Sequence, residues 1–393
     1  MYDLVVRNAR IHTMADGLEP APHASFAVRD GQLAAFDPPP EVAARSTLDA
    51  RGACALPGFI DCHSHALYAG DRMAEHAARL RGATYADIAA AGGGIRTTVA
   101  AVRAASEREL VEQTLPRLAA LLAEGVTTVE VKSGYGLDLP TELKQLRAIR
   151  ALRDHTRQWI EPTFLGLHAL PAGADRARFV AEVVDEWLPE VARQRLAGTV
   201  DAYVEHLAFS VADLERFAAA AASLGLEVRA HTDQLSNLGG TRRAAELGAL
   251  SCDHLEHSRD ADVAALVAHG TVAVLLPFAY YFLRDTQLPP IAALRRAGVP
   301  IAVATDQNPG TSPCASLLTA LHLATVSFGL SAEEALLGAT RHAARALGLT
   351  DRGTLTLGSR ADFTLWDVPG PEFLVYQCGG LRPTATYIEG RPE

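Results

Sequence analysis

The run Pro57-Gly58-Phe59-Ile60-Asp61-Cys62-His63-Ser64-His65 decides how the rest of the chain is read. An apolar stretch, punctuated at its start by Pro-Gly, ends in two histidines spaced i, i+2. Side chains at that spacing share one face of a β-strand. A strand over 59–65 would therefore aim both imidazoles at one point beyond its end. Imidazole suits zinc, iron or nickel. A His-X-His motif by itself is more often a solvated strand edge, so the weight comes from the remainder of the chain.

Downstream, strand-like runs recur at 126–131, 160–167, 200–205, 227–231, 251–255, 271–276 and 300–305. Helical patterns lie between them. Leu110, Leu118, Leu121 and Leu122 fall on one helical stripe, and Leu214, Phe217, Ala218 and Ala221 on another. Ser331 with Glu334 has the spacing of a capping box. Eight strands alternating with helices predict an α/β chain built on a (β/α)8 barrel. A doubly wound open sheet is the alternative, weakened because no Gly-X-Gly-X-X-Gly follows the early strands. Gly92-Gly93-Gly94 lies far from any strand end and reads as a loop rather than a phosphate cradle. The two ends of the chain have a different rhythm. Phe26-Ala-Val28, the turn Asp30-Gly31 and Leu33-Ala-Ala-Phe36 spell a hairpin, and 361–366 and 385–388 return to short strands. The expected organisation is a composite β-sandwich domain from 1–57 and 355–393, and a barrel over 58–354.

At 393 residues and 49% hydrophobic, the chain can bury one large core and a smaller one. It has no run of about 18 apolar residues, so no membrane span is expected. Met1-Tyr2-Asp3 leads straight into strand-like residues, without the layout of a signal peptide. The scattered cysteines (Cys54, Cys62, Cys252, Cys314 and Cys378) read as reduced thiols of a cytoplasmic protein. A net charge of −10 argues against a nucleic-acid partner. Nearly all the positive charge is arginine; the lysines are Lys132 and Lys144.

Barrel enzymes keep their chemistry at the C-terminal ends of the strands. Those ends carry His63 and His65, Lys132 followed by Ser133-Gly134-Tyr135-Gly136, His168, His231 within His231-Thr-Asp-Gln234, His254, and Asp306. Each histidine alone is more often a structural residue. Together on one rim they point to a metal site. His63, His65, His231 and Asp306 make a nitrogen-rich set with one carboxylate and room for a water. A metal there would acidify the water and polarise a substrate carbonyl. Asp306 can accept the water's proton. His254 can orient the nucleophile or stabilise the oxyanion. The segment 306–313, Asp-Gln-Asn-Pro-Gly-Thr-Ser-Pro, can form a nest of donors for a carboxylate or amide. Arg72 can clamp a carboxylate bidentately, although an arbitrary arginine is more often in a surface ion pair.

These residues resemble the amidohydrolase superfamily. Six further runs are similar to its imidazolonepropionase family: Ala69-Gly-Asp-Arg72, Ala91-Gly-Gly-Gly-Ile-Arg96, Val131-Lys-Ser-Gly-Tyr-Gly-Leu137, Leu167-His-Ala-Leu-Pro171, Gln234-Leu-Ser-Asn-Leu-Gly-Gly240 and the 306–313 segment. The resemblance covers nearly the whole chain. It departs from the family at the second and third positions of His231-Thr-Asp-Gln, where Ala and Glu or Asp are common. It implies hydrolysis of 4-imidazolone-5-propanoate, a small substrate with a carboxylate, to N-formimidoyl-L-glutamate in a cytoplasmic homodimer. It implies one divalent metal per subunit, zinc or iron, on His63, His65, His231 and Asp306. Substrate contacts would be Arg72, Tyr135, His168, Gln234 and Thr311. Asn308 and Gly310, with Tyr135, would hold the opened product. Gln234 would join Asp306 and His254 in the catalytic set.

Three rivals remain. A ring deaminase of the same superfamily would carry Glu where this chain has Gln234, and an amide cannot shuttle a proton at neutral pH. A two-metal hydrolase would need a carboxylated lysine at the end of the fourth strand, where Glu205-His206 stand. A non-catalytic scaffold should have lost ligands that this chain keeps.

Overall fold

The computed structural model describes residues 1–83, 87 and 92–393. Ala91, the first residue of the run Ala91–Arg96, lies outside the described residues.

The first six strands are β1 (Tyr2–Arg7), β2 (Arg10–Ile11), β3 (Phe26–Arg29), β4 (Gln32–Phe36), β5 (Ala44–Asp49) and β6 (Cys54–Pro57). The predicted hairpin forms as β3 and β4, turning through Asp30 and Gly31 at φ 52° and 75°, the left-handed pair that a tight hairpin needs. The last three strands are β15 (Phe363–Trp366), β16 (Ala385–Ile388) and β17 (Arg391–Pro392). Two sheets result, ordered β4-β3-β1-β5 and β17-β16-β15-β6-β2. The second sheet draws strands from both ends of the chain. Their apolar faces share one core containing Phe26, Val28, Leu33, Ala55, Phe363 and Leu365. Phe26 meets Phe363 edge-on at 5.0 Å, which joins the two sheets into a sandwich.

Between these ends run β7 (Phe59–Asp61), β8 (Val126–Lys132), β9 (Trp159–Leu167), β10 (Thr199–Val204), β11 (Glu227–Thr232), β12 (Ser251–His254), β13 (Val272–Leu275) and β14 (Ile301–Val303). All are parallel and pair in sequence order, with helices between them. This is the (β/α)8 barrel expected from the alternation. The two helical stripes are buried except for half-buried Leu122. Ser331 and Glu334 cap each other reciprocally.

The first strand is shorter than its sequence suggested: β7 stops at Asp61, and 62–65 leave the ladder. Side chains take the backbone's partners there. The Ser64 amide donates to Glu130 Oε2 at 3.0 Å, and the Asp61 carboxylate receives the Thr305 amide and hydroxyl at 3.1 and 2.6 Å. The barrel closes beyond the strands proper. Asp306 donates its amide to the His63 carbonyl at 3.0 Å, and His65 donates to that of Gln307 at 2.9 Å. Ser64 and Gln307 form a single parallel bridge. The seam between first and last strands thus runs through the residues singled out for metal binding.

Candidate metal centre

Four ligand atoms converge at this seam. His65 Nε2 and His231 Nε2 lie 3.2 Å apart, and Asp306 Oδ1 lies 3.4 Å from both His63 Nε2 and His65 Nε2. Ligands about 2.0–2.1 Å from one tetrahedral ion sit about 3.3 Å from each other. His63 Nε2 is buried without a hydrogen-bond partner, an arrangement a cation would satisfy and a hydrogen-bonded core would not. Asp306 reaches this position through a left-handed backbone, φ 50°. The residues therefore fit a metal.

Support for the imidazoles comes from a buried layer of charge. Asp253 Oδ2 holds His63 Nδ1 at 2.6 Å, and Asp201 Oδ1 holds His231 Nδ1 at 3.0 Å. Each carboxylate turns the Nε2 lone pair of its imidazole toward the centre, the usual device for orienting a ligating histidine. Lys132 Nζ then bridges Asp201 and Glu130, both at 2.8 Å, and Arg229 Nη1 reaches Glu130 at 3.2 Å. Asp201, His231 and Asp253 also lie close enough to resemble a second cluster, but both acids are already engaged in this support. Burial drives His63 and His65 well below the ordinary histidine range, helped by Lys132 and His168 respectively. His231 is lowered by burial but raised more by Asp201, and ends above its ordinary value. Burial lifts the Asp306 carboxyl to about 7 against the pull of His231.

Tyr135 and His168 flank this set. The His168 ring stacks on His65 at 5.3 Å, and Tyr135 lies 6.0 Å from His65 and 5.3 Å from His168. Gly134 and Gly136 exist for this placement. Buried Glu142 accepts the amides of Gly134, Gly136 and Leu137 at 2.8, 2.7 and 3.0 Å. His168 Nδ1 pairs with the Gly134 carbonyl at 2.8 Å, and burial lowers its pKa to about 4. A Cβ on Gly134 would press on His168, and one on Gly136 on Glu142. His254 joins from the other side, its ring 5.5 Å from His231.

Gln234 is anchored through Tyr203, whose hydroxyl donates to its Oε1 at 2.9 Å while the Tyr203 ring stands edge-on to His231. That leaves the amide NH2 with hydrogens to offer. The loop carrying Gln234 hangs on Glu205, which accepts the amides of Leu235 and Ser236 at 2.7 and 3.0 Å. In the 306–313 segment Asn308 is spent on the loop itself. Its Oδ1 receives the amides of Gly310 and Thr311 at 2.9 and 2.7 Å, and its Nδ2 donates to the Asp306 carbonyl at 2.7 Å. Arg72 presses against Gly310, where a side chain would collide with it. Two of its nitrogens already face Glu75, at 2.9 and 2.7 Å. Glu75 in turn receives the Gly94 amide and the Thr97 hydroxyl, both at 3.0 Å. A second arginine, Arg79, donates to the Gly310 carbonyl at 3.1 Å.

Comparisons with known proteins give the family and agree with the fold. Residues 54–392 match the model of the amidohydrolase family. A protein of a Bradyrhizobium species named imidazolonepropionase is 50% identical over 388 residues, 96% of either chain. The chain belongs to the imidazolonepropionase family of amidohydrolases. A second such relative, from Caulobacter vibrioides, is 51% identical over 386 residues, again 96% of each chain. The crystal structure of an adenosine deaminase from Xanthomonas campestris with bound zinc superposes at a TM-score of 0.72, with 19% identity over 100% of this chain and 92% of that one. That likeness speaks for the fold. As a family member the chain is a hydrolase acting on a cyclic amide.

Several residues of this site went unread in the sequence. Asp201 and Asp253 carried a usable signal: each is an acid within an otherwise uncharged run of a parallel strand, Thr199–Val204 and Ser251–His254. Such a residue must face a partner inside the barrel. Lys132 appeared at a strand end; Glu130 shares its face of β8 two residues earlier, whereas Asp201 lies on β10 and no local pattern points to it. Glu205 was read only as the end of the fourth strand, and Tyr203, Arg79 and Glu256 gave no comparable signal.

Proposed function

We propose that the chain hydrolyses the ring amide of 4-imidazolone-5-propanoate to N-formimidoyl-L-glutamate, a step of histidine degradation. The observation that carries this reading is the match, at about half identity and full length, to relatives of that name, on a chain whose His63, His65, His231 and Asp306 converge. One zinc or iron ion per subunit suits that donor set. The metal would supply Lewis acidity that polarises the ring carbonyl and acidifies the attacking water.

The chain's own residues supply the rest. Water adds to the carbonyl carbon and the C–N bond breaks. Asp306 takes the water's proton and returns one to the departing ring nitrogen. His254 faces the carbonyl oxygen. Arg72, pressed on Gly310, meets the propionate by exchanging Glu75 for it. Tyr135, His168, Thr311 and the Gln234 amide orient the ring, and Asn308 shapes the loop in which Gly310 and Tyr135 hold the product. Gln234 is an orienting group without a proton to shuttle, which favours ring opening over deamination.

The proposal includes a cytoplasmic homodimer, as the family resemblance implies. Its five cysteines are all unpaired, as a reducing compartment would keep them, and no helix among the described residues is long and apolar enough to cross a membrane. The test is a coupled assay in which urocanase generates the imidazolone in place. Chelator-sensitive formation of N-formimidoyl-L-glutamate is expected. No acceleration over spontaneous decay, with metal bound, would overturn the reading and favour a deaminase.

A further inference from the structure

Glu256 has no part in the chemistry above, yet it is buried at the edge of the site, 2% exposed. Its Oε2 has no hydrogen-bond partner, and neither has Nδ1 of His254, itself 3% exposed. These two orphaned atoms face each other at 3.9 Å. Buried polar atoms are seldom left unpaired, and pairs at active sites are often long before substrate binds. The backbone between them is also unusual. His254 and Leu255 are successive non-glycine residues in left-handed conformation, φ 83° and 74°, a region that L side chains enter only at a cost. Such strain gathers at functional sites.

Protonation decides what the pair can do. Burial raises the Glu256 carboxyl well above its ordinary value, and Asp285, Asp306 and Glu205 add to the effect. The buried carboxyl then holds its proton. The residue's own backbone amide serves the carboxyl, so unpartnered Oε2 is the oxygen left to carry the proton. A neutral imidazole facing an O–H must present a lone pair at that nitrogen.

We infer that Glu256 is a positioning residue whose carboxyl O–H donates to Nδ1 of His254 and fixes that imidazole as the Nε2–H tautomer, a hydrogen-bond donor toward the reacting carbonyl oxygen. This rests on the proposed ring opening for its catalytic consequence, though not for the pairing itself. It assigns His254 to oxyanion stabilisation and leaves Asp306 as the proton acceptor.

The experiment uses the metal-loaded full-length enzyme, its metal content checked for each variant. Gln at position 256 keeps a donor that reaches Nδ1; Leu keeps the volume and removes it. E256Q should retain kcat within a few-fold. E256L should lose on the order of 100-fold in kcat, the cost of an oxyanion donor, with KM near wild type. Independently of activity, 15N spectra of histidine-labelled protein, with the His254 signal assigned by its loss in His254→Gln, should show the Nε2–H tautomer in wild type and E256Q. E256L with wild-type kcat, or an Nδ1–H tautomer in the wild type, overturns the inference. Failure of every form, wild type included, to open the ring would instead sink the proposed reaction, while the spectra still decide the pairing.

Discussion

Lys132→Met tests the buried charge layer beneath the metal centre. Lys132 is wholly buried and its ammonium touches Glu130 and Asp201 at 2.8 Å each. At an effective dielectric near 20, each contact has a gross attraction of about 6 kcal/mol, most of it offset by desolvation. Methionine preserves the stem, so the cavity is small and the loss is electrostatic. Glu130 would keep Arg229 at 3.2 Å, but Asp201 would keep only His231. Breaking a buried pair from one side costs about 3–5 kcal/mol, a large part of the ~5–15 kcal/mol available to a folded protein. Asp201 also orients His231, so metal affinity should fall about 10–100-fold. Denaturant midpoints of metal-free protein and chelator competition measure the two effects separately. Adding Asp201→Asn should recover part of the stability, because the uncompensated charge goes with it. Asp201 and Glu130 hold the Lys132 pKa above its ordinary value despite burial. A raised base contributes fully below its unfolded pKa of about 10.4, and loses that contribution only as pH climbs through the folded value. The gap between wild type and variant should therefore be flat from about pH 6 to about 9. Wild-type midpoint and affinity in Lys132→Met would refute the reasoning.

Other outcomes follow from the same geometry. Asp306→Asn should abolish turnover even when metal is restored to full occupancy, since the proton acceptor is gone; near-normal kcat at full loading would exclude that role. Arg72→Ala should raise KM for the propionate-bearing substrate much more than it lowers kcat, and unchanged steady-state kinetics would place the carboxylate clamp elsewhere. Glu205→Ala frees the amides of Leu235 and Ser236 and should loosen Gln234, weakening substrate binding with metal content intact by elemental analysis. Ser331→Ala removes one half of a capping box far from the chemistry. It should cost about 1 kcal/mol in unfolding experiments with kcat/KM unchanged.

The barrel was legible because its strands are buried on both faces and separated by amphipathic helices, so the eight runs announce themselves one at a time. The hairpin at Asp30-Gly31 and the cap at Ser331 were legible for the same reason: their causes lie within a few residues. Some of what stayed hidden depends on partners far away in the chain, and some on which of several near neighbours a side chain takes. The strand expected over 59–65 stops at Asp61 because Glu130, 66 residues away, captures the Ser64 amide. Arg72 reads in the sequence as either a carboxylate clamp or one half of an ion pair, and in the fold it is paired with Glu75 three residues on. Asn308 reads as a ligand group, whereas its amide organises its own loop. The histidines were visible as a set, but the acids that aim them, Asp201 and Asp253, matter only once β10, β11 and β12 stand side by side.

The closing seam has a consequence for how the protein comes into being. The residues that would grip the metal also fasten the hoop: His63 and His65 from its first stave, Asp306 and Gln307 from its last. Some 240 residues must be laid down and curled before those two ends can meet. A half-made barrel, or a nascent chain still missing its final turns, offers only part of the clasp and cannot trap an ion tightly. Once the ends do meet, a bound ion pins the ring shut, and its binding free energy adds directly to that of the closed form. Tight loading would then require a complete circumference.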